Sequence, residues 1–245
     1  MKTIGLLGGT SWPSTIEYYR ILNELAQARL GGHHSARLLL KSIDYHAIKS
    51  RYHDGWDEIP RLLRAELESL ARLQPDGPQC LLICNNTLHK AYDMFAHEID
   101  LGMPLFHVVT ETAAHARAQG YRRLLLLGTQ FTMEDGFYHR GLQAHGLEVS
   151  TPGPEDRVGI QAVQSRLARG EMQPEFRDYF RAVVARHAHV DAVVLGCTEL
   201  PLAMAQADYG VPLVNPTELQ CRAAFEFAVS GIAAPDGDVA RKERV

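Results

Sequence analysis

The sequence predicts an α/β fold of two pseudo-symmetric lobes, each a parallel sheet flanked by helices, with the active site in the cleft between them. Three observations predict it. Short apolar runs alternate with segments of helical periodicity, which implies parallel strands joined by crossover helices. The pattern after the first strand returns after the fifth: Gly9-Thr10 then Tyr18-Tyr19, and Gly128-Thr129 then Phe137-Tyr138. Thr10 to Thr129 and Tyr19 to Tyr138 are both 119 positions apart. Each half then ends an apolar strand on a cysteine, Cys84 and Cys197, 113 positions apart. Two matches in the same order point to duplication.

The elements follow in order. Thr3–Leu7 is the first strand, and Pro13-Ser14 opens a helix carrying Tyr18, Tyr19, Leu22, Leu25 and Ala26. Arg37–Ile43 is the second strand. In Ile59–Leu73 the apolar set Ile59, Leu62, Leu63, Leu67 and Leu70 keeps the i, i+3, i+4 spacing of a half-buried helix. Cys80–Ile83, Pro104–Val108, Arg123–Leu127, Leu147–Ser150, Asp191–Leu195 and Pro212–Val214 are further strands, with a helix from Pro174 to about His187. The last helix, Thr217–Val229, is expected to return to the first lobe. That makes residues 1–108 with 215–245 one lobe and residues 109–214 the other. The polar, Asp/Gly-rich tail from Ala233 to Val245 is expected to fray.

Composition narrows the function. Of 245 residues 46% are hydrophobic and 22% charged, ordinary globular values that speak against a disordered or fibrous chain. Twenty-five basic against 29 acidic residues leave −4, so no cationic field exists to draw nucleic acid. No apolar run approaches the roughly 20 residues that span a bilayer. The opening Met1–Gly8 reaches a Gly pair too early for a signal peptide, and a soluble cytoplasmic protein is expected. Four cysteines without a C-x-x-C pair make no disulfide framework. Twelve histidines without H-E-x-x-H make no recognisable metal site.

A cysteine at a strand end is ordinarily a small buried hydrophobe, and Cys80 and Cys221 read that way. Cys84 and Cys197 differ, because each precedes a polar run: Cys84-Asn85-Asn86-Thr87-Leu88-His89-Lys90 and Cys197-Thr198-Glu199-Leu200. Free N–H groups at a helix start stabilise a thiolate and an anionic ligand, and Asn86, Thr87 and Thr198 add hydrogen bonds suited to a carboxylate. Two thiols flanking one carbon suit proton removal from one face and proton return to the other. That exchange needs two similar acids with pKa values near working pH. The carbanion between them needs aimed N–H donors in a dry cleft.

These residues resemble a known family. Ile4–Trp12 with Ser14-Thr15 and Tyr18-Tyr19 is similar to the opening of aspartate/glutamate racemases. So are Gly31–Ala36, Cys84–Lys90, Leu127-Gly128-Thr129 with Thr132-Met133-Glu134, and Gly196-Cys197-Thr198-Glu199. The resemblance runs to about Val229. It implies a two-lobed α/β fold, a homodimer, and cofactor-independent racemisation of a free amino acid. Carried over residue by residue, it implies Cys84 and Cys197 as the acid–base pair. Asn85, Asn86, Thr87 and Thr198 match substrate-holding positions, Thr10 and Ser11 the first Gly-rich turn, and Thr129 and Thr132 its counterpart. Glu199, two residues after Cys197, is expected either to assist proton exchange there or to salt-bridge within the helix start.

Departures bear on the substrate. Relatives specific for acidic side chains carry an Arg after the second strand and a Lys in the second lobe. Arg51 is expected in the first role, with Lys49 and Tyr52 leaving its register open. Near Gly159 there is no Lys, and Arg157 compensates only if it points inward. A neutral or polar amino acid therefore stays open beside aspartate and glutamate. The alternatives are a one-thiol isomerase or decarboxylase on a small carboxylic acid, and a ligand-binding homologue without turnover. A serine hydrolase fails because Gly9-Thr10-Ser11-Trp12-Pro13 lacks the final glycine of the G-x-S-x-G elbow. A phosphate loop fails because no Gly-Lys-Ser/Thr follows Gly9.

Overall fold

The computed structural model describes residues 1–52 and 54–230. The tail expected to fray lies outside the described residues. The first lobe runs β1 (Ile4–Gly8), α1 (Trp12–Leu30), β2 (Leu38–Ser42), α2 (His46–Lys49), α3 (Ile59–Ala71), β3 (Cys80–Ile83) and α4 (Leu88–Asp93). Then come α5 (Val108–Ala118), β4 (Arg123–Leu127), α6 (Gln130–Glu134), α7 (Phe137–Ala144), β5 (Glu148–Ser150), α8 (Pro154–Leu167), α9 (Pro174–Ala185), β6 (Ala192–Leu195), β7 (Leu213–Val214) and α10 (Pro216–Val229). Two parallel sheets result, ordered β2-β1-β3 and β5-β4-β6-β7.

The expected strand Pro104–Val108 is a single rung instead. Only Leu105 bridges, to Leu81 of β3, through Leu81 N to Pro104 O at 2.9 Å and Phe106 N to Leu81 O at 3.1 Å. The chain leaves the sheet there because Val108 already begins α5, whose start is capped by His107 accepting from Val109 N. The second sheet keeps the matching position as β7.

Each sheet is covered on both faces over its inner strands, so β1, β3, β4 and β6 read as near-continuous apolar runs, while the edge strands β2 and β5 carry polar residues. In the first lobe Ile4, Leu6, Cys80 and Leu82 pack with Tyr18 and Leu22 of α1 and with Cys221, Ala224 and Phe225 of α10. On the opposite face Leu7, Leu81 and Ile83 pack with Ile59, Leu63, Leu67 and Leu70 of α3. In the second lobe Leu124, Leu126, Ala192 and Val194 meet α5 and α7, and Leu125, Leu127, Val193 and Leu195 meet α8 and α9. Helices α5 and α10 pack on each other. Helix α10 lies in the apolar cluster of β1 and α1, and its Leu219 touches that of the second lobe.

The turns that follow β1 and β4 point to the cleft. Gly9 sits at φ 81, and a Cβ there would fall 2.2 Å from Ile43 O, so glycine is required. Ser11, at φ 79, is the one non-glycine residue with positive φ among the described residues. Such strain clusters where a site over-determines the backbone.

Candidate active site

A cavity of about 230 Å3 opens between the lobes at the carboxyl ends of the strands, where parallel sheets place ligands. Its volume is below the ~300–1,000 Å3 of drug-sized sites and suits a molecule the size of one amino acid. From the first lobe it is lined by Ser11, Ser14, Tyr45, Lys49, Tyr52, Asn85, Asn86 and Thr87. From the second come Thr129, Phe131, Thr132, Gln164, Ala168, Gly196, Cys197, Thr198 and Glu199.

Cys197 is the cysteine on this wall. Its Sγ donates to Glu199 Oε2 at 2.7 Å, and Thr198 Oγ1 donates to the same oxygen at 3.1 Å. Burial holds the thiol pKa well above its ordinary value, the charge of Glu199 adds to this, and a hydrogen bond from Gln164 opposes it. The thiol is therefore neutral at rest, its proton directed at the Glu199 carboxyl oxygen. Hydroxyls and amides surround it. Thr129 caps α6, its Oγ1 accepting from Thr132 N at 3.1 Å and lying 2.9 Å from Thr132 Oγ1. Ser14 Oγ and Thr198 Oγ1 meet at 2.6 Å across the lobes, and Asn86 Nδ2 donates to Gly196 O at 2.8 Å, also across them.

Cys84 is placed otherwise. Its side chain is fully buried and lies with Cys80, Leu82, Tyr18 and Cys221 in the cluster under α1 and α10, away from the cavity wall. Burial pushes its pKa up. The pairing of Cys84 with Cys197, drawn from the motifs, is one position out of register. Cys84 N donates to Leu7 O at 2.9 Å, and Gly196 N donates to Leu127 O at 2.6 Å. Leu7 pairs with Ile83 in one sheet and Leu127 with Leu195 in the other. Cys84 thus shares its ladder position with Gly196, and Asn85 shares its position with Cys197. Side chains alternate faces along a strand, so one residue of offset turns a side chain to the other face.

Three further expectations shift. Arg51 does not line the cavity; its Nε donates to Glu58 Oε2 at 2.8 Å and its guanidinium also holds the carbonyl of Ala47. The basic side chain on the wall, among the described residues, is Lys49, whose Nζ lies 4.2 Å over the Tyr52 ring. Desolvation lowers its pKa. Arg51 follows α2 in the same helical turn, its N–H donating to Ile48 O at 3.0 Å, and residues two apart on such a turn point to nearly opposite sides. Arg157 points to Glu134, Nε to Oε1 at 3.0 Å, instead of inward. Thr10 is buried beneath the wall, its hydroxyl donating to Cys84 O at 3.3 Å and its carbonyl accepting from Asn85 Nδ2 at 3.0 Å.

Sequence reasoning missed the aromatic roof. Tyr45 and Tyr52 hydrogen-bond through their hydroxyls, Tyr52 lies 5.9 Å from the Phe131 ring, and Trp56 stacks on Phe131 at 5.3 Å. Lys90 pairs with Asp135 at 2.5 Å and sits 4.2 Å over Trp56, so the same patch carries an ion pair between the lobes. No local pattern marks these partners, because Phe131 meets Tyr52 and Trp56, and Asp135 meets Lys90, only after both lobes fold. Gln164 carried a signal: it is a buried polar side chain on α8, in register with Ile160 and Leu167.

Among the described residues no three His, Cys, Asp or Glu side chains gather as a metal site would need, and no helix is long and apolar enough to cross a membrane. The comparisons with known proteins agree with the fold. A candidate Asp/Glu racemase from Yersinia pestis superposes with a TM-score of 0.83 at 37% identity, covering 94% of this chain and 100% of that one. An aspartate racemase homologue from Pyrococcus horikoshii OT3 superposes at 0.82 with 29% identity, over 93% and 99% of the two chains. A glutamate racemase from Thermus thermophilus is 29% identical over 190 residues, 75% of this chain and 68% of its own. The Asp/Glu/Hydantoin racemase model matches residues 7–224. With the two parallel-sheet lobes and a cleft carrying a thiol beside a carboxylate, that match places the chain in the Asp/Glu/Hydantoin racemase family.

Proposed function

We propose that the protein racemises a free amino acid by acid–base chemistry at the α-carbon, with Cys197 taking and returning the proton. The observation that carries this is the Cys197 thiol, hydrogen-bonded at 2.7 Å to the buried carboxylate of Glu199 on a small polar cavity. The thiol passes its proton to Glu199, and the thiolate removes the α-proton. The C–H electron pair moves into the substrate's carboxylate. Thr129, Thr132, Thr198 and Asn86 supply hydrogen bonds where that charge develops, in a site walled by Phe131 and Tyr52. Each of these groups belongs to the protein itself, and the chemistry asks for no pyridoxal phosphate.

Lys49 supports a substrate with a second carboxylate, which makes aspartate and glutamate the first amino acids to try. A charge-assisted hydrogen bond of that kind contributes about 1.5–3 kcal/mol.

Single enantiomers incubated in deuterium oxide, followed by mass and by chiral chromatography, test the reading. α-Deuterium should appear in at least one acidic or polar amino acid. A panel of the common amino acids without exchange would sink it. One observation favours a second reading: a single thiol faces the cavity, which suffices for a decarboxylase that only protonates a carbanion. Release of carbon dioxide from a small dicarboxylic acid, without α-exchange of any amino acid, would favour that reaction instead.

A further inference from the structure

The two walls of the cavity are chemically unequal, and the inequality follows from the register described above. Cys197 and Asn85 stand at the same position beyond equivalent strands of the two lobes, and both line the cavity. Asn85 is locked in place. Its Oδ1 accepts from Leu88 N at 3.0 Å, at the start of α4, and its Nδ2 donates to Thr10 O at 3.0 Å. Behind it His89, fully buried, contacts Asn85 O through Nδ1 at 3.0 Å and Gln220 Nε2 through Nε2 at 3.1 Å. Gln220 in turn accepts from the Tyr18 hydroxyl at 2.7 Å. Donors and acceptors match if His89 carries its proton on Nδ1, so Asn85 and the groups behind it are satisfied and fixed. An amide has no proton to give or take near neutral pH.

We infer that the protein works with one thiol: Asn85, not Cys84, faces the substrate opposite Cys197, and proton exchange is confined to the face served by Cys197. This rests on the α-carbon chemistry proposed above and specifies its handedness. The enantiomer whose α-hydrogen points at Cys197 loses that proton to the thiolate. The pair left on carbon spreads into the carboxylate, and the new S–H exchanges with solvent through Glu199. Deuterium then returns to the same face with retention. Inversion needs a proton from the Asn85 side, which a water molecule must supply, so it lags behind exchange. The opposite enantiomer presents its α-hydrogen to an amide and exchanges slowly.

The test uses L- and D-aspartate and L- and D-glutamate in deuterium oxide. One enantiomer of a pair should gain deuterium with retention at least tenfold faster than it inverts, and its antipode should show neither at that rate. Asn85→Cys should restore an acid on the second wall and raise inversion at least tenfold. Cys84→Ser and Cys84→Ala should leave the exchange rate within about twofold, with melting temperatures reported alongside to separate misfolding from chemistry. Equal rates of exchange and inversion, or loss of inversion in folded Cys84→Ser and Cys84→Ala, would overturn the inference. A second readout is independent of turnover. Dibromobimane, which fluoresces when it bridges two thiols, should link the thiol introduced by Asn85→Cys to Cys197. It should leave Cys84 and Cys197 of the unaltered protein unlinked. A wild-type bridge between peptides holding Cys84 and Cys197 would overturn the inference even if no amino acid proved to be a substrate. If no amino acid exchanges while bimane links only the variant, the α-carbon reading fails and the one-thiol geometry stands.

Discussion

The ends of β3 and β6 carry nearly the same chemistry in the same order, yet they present different atoms to the cleft. In β3 the cysteine follows the last paired residue directly, Ile83-Cys84-Asn85. In β6 a glycine intervenes, Leu195-Gly196-Cys197. Cys84 therefore falls on the α1/α10 face and Cys197 on the α8 face. The glycine is constrained as well. A Cβ at Gly196 would lie 3.0 Å from Leu126 Cδ1 and from Leu127 O, whereas the same ladder position in the first lobe holds the Cys84 side chain. Repetition of a motif does not preserve its facing unless the strand ends at the same residue.

The contrast can be broken at several points, and Cys197→Ser should do the most damage. General acid–base catalysis contributes about 10²–10⁴-fold, so α-deuterium uptake followed by proton NMR should fall by at least that range's lower end. Glu199→Gln comes next. With the neighbouring negative charge gone, the raised pKa of Cys197 should drop, and more thiolate should form at pH 8. Alkylation by iodoacetamide at Cys197, read by peptide mass spectrometry, should speed up while α-exchange slows about 10²-fold. Faster alkylation at Cys84 would contradict the assigned geometry.

Lys49 sharpens the comparison through pH. Its folded pKa is lowered by desolvation, so its charge is present at low pH and lost at a lower pH than an ordinary lysine's. KM for an acidic substrate should then rise as pH passes upward through that lowered value. Lys49→Met should raise KM about tenfold or more at neutral pH, from the ~1.5–3 kcal/mol of a charged hydrogen bond, and should flatten this dependence. The smallest effect is expected at Asn86, whose Nδ2 holds Gly196 O across the cleft. Asn86→Ala should cost about 1–3 kcal/mol of stability, the penalty for leaving a buried acceptor unpaired, measured by urea unfolding.

Much of the architecture is legible before folding. Seven of the eight strand runs form strands, and the inner ones are apolar because residues buried on both faces of a parallel sheet must be so. The i, i+3, i+4 set of α3 buries Ile59, Leu63, Leu67 and Leu70, leaving Leu62 at the boundary. Pro104–Val108 misleads because its composition suits a strand while its length in the sheet depends on where α5 docks. At the site, Asn85, Asn86, Thr87, Thr129, Thr132, Thr198 and Glu199 stand out on the polar runs after strands, and all line the cavity. Lys49 loses out to Arg51 in the sequence, because a four-residue helix offers too few positions for periodicity to orient it.

By itself the sequence determined the class of fold, the duplicated order of strands and helices, the glycine turn at Gly9 and the polar strand ends where a ligand would sit. These follow from burial period and backbone sterics, which act over a few neighbouring residues. Only the tertiary structure decided which cysteine meets the cavity, which cation lines it, and that Phe131 joins its wall from the second lobe. The physical reason is that facing alternates residue by residue. It is set by the last hydrogen bond to a neighbouring strand, here Cys84 to Leu7 and Gly196 to Leu127, pairs separated by more than half a lobe of chain.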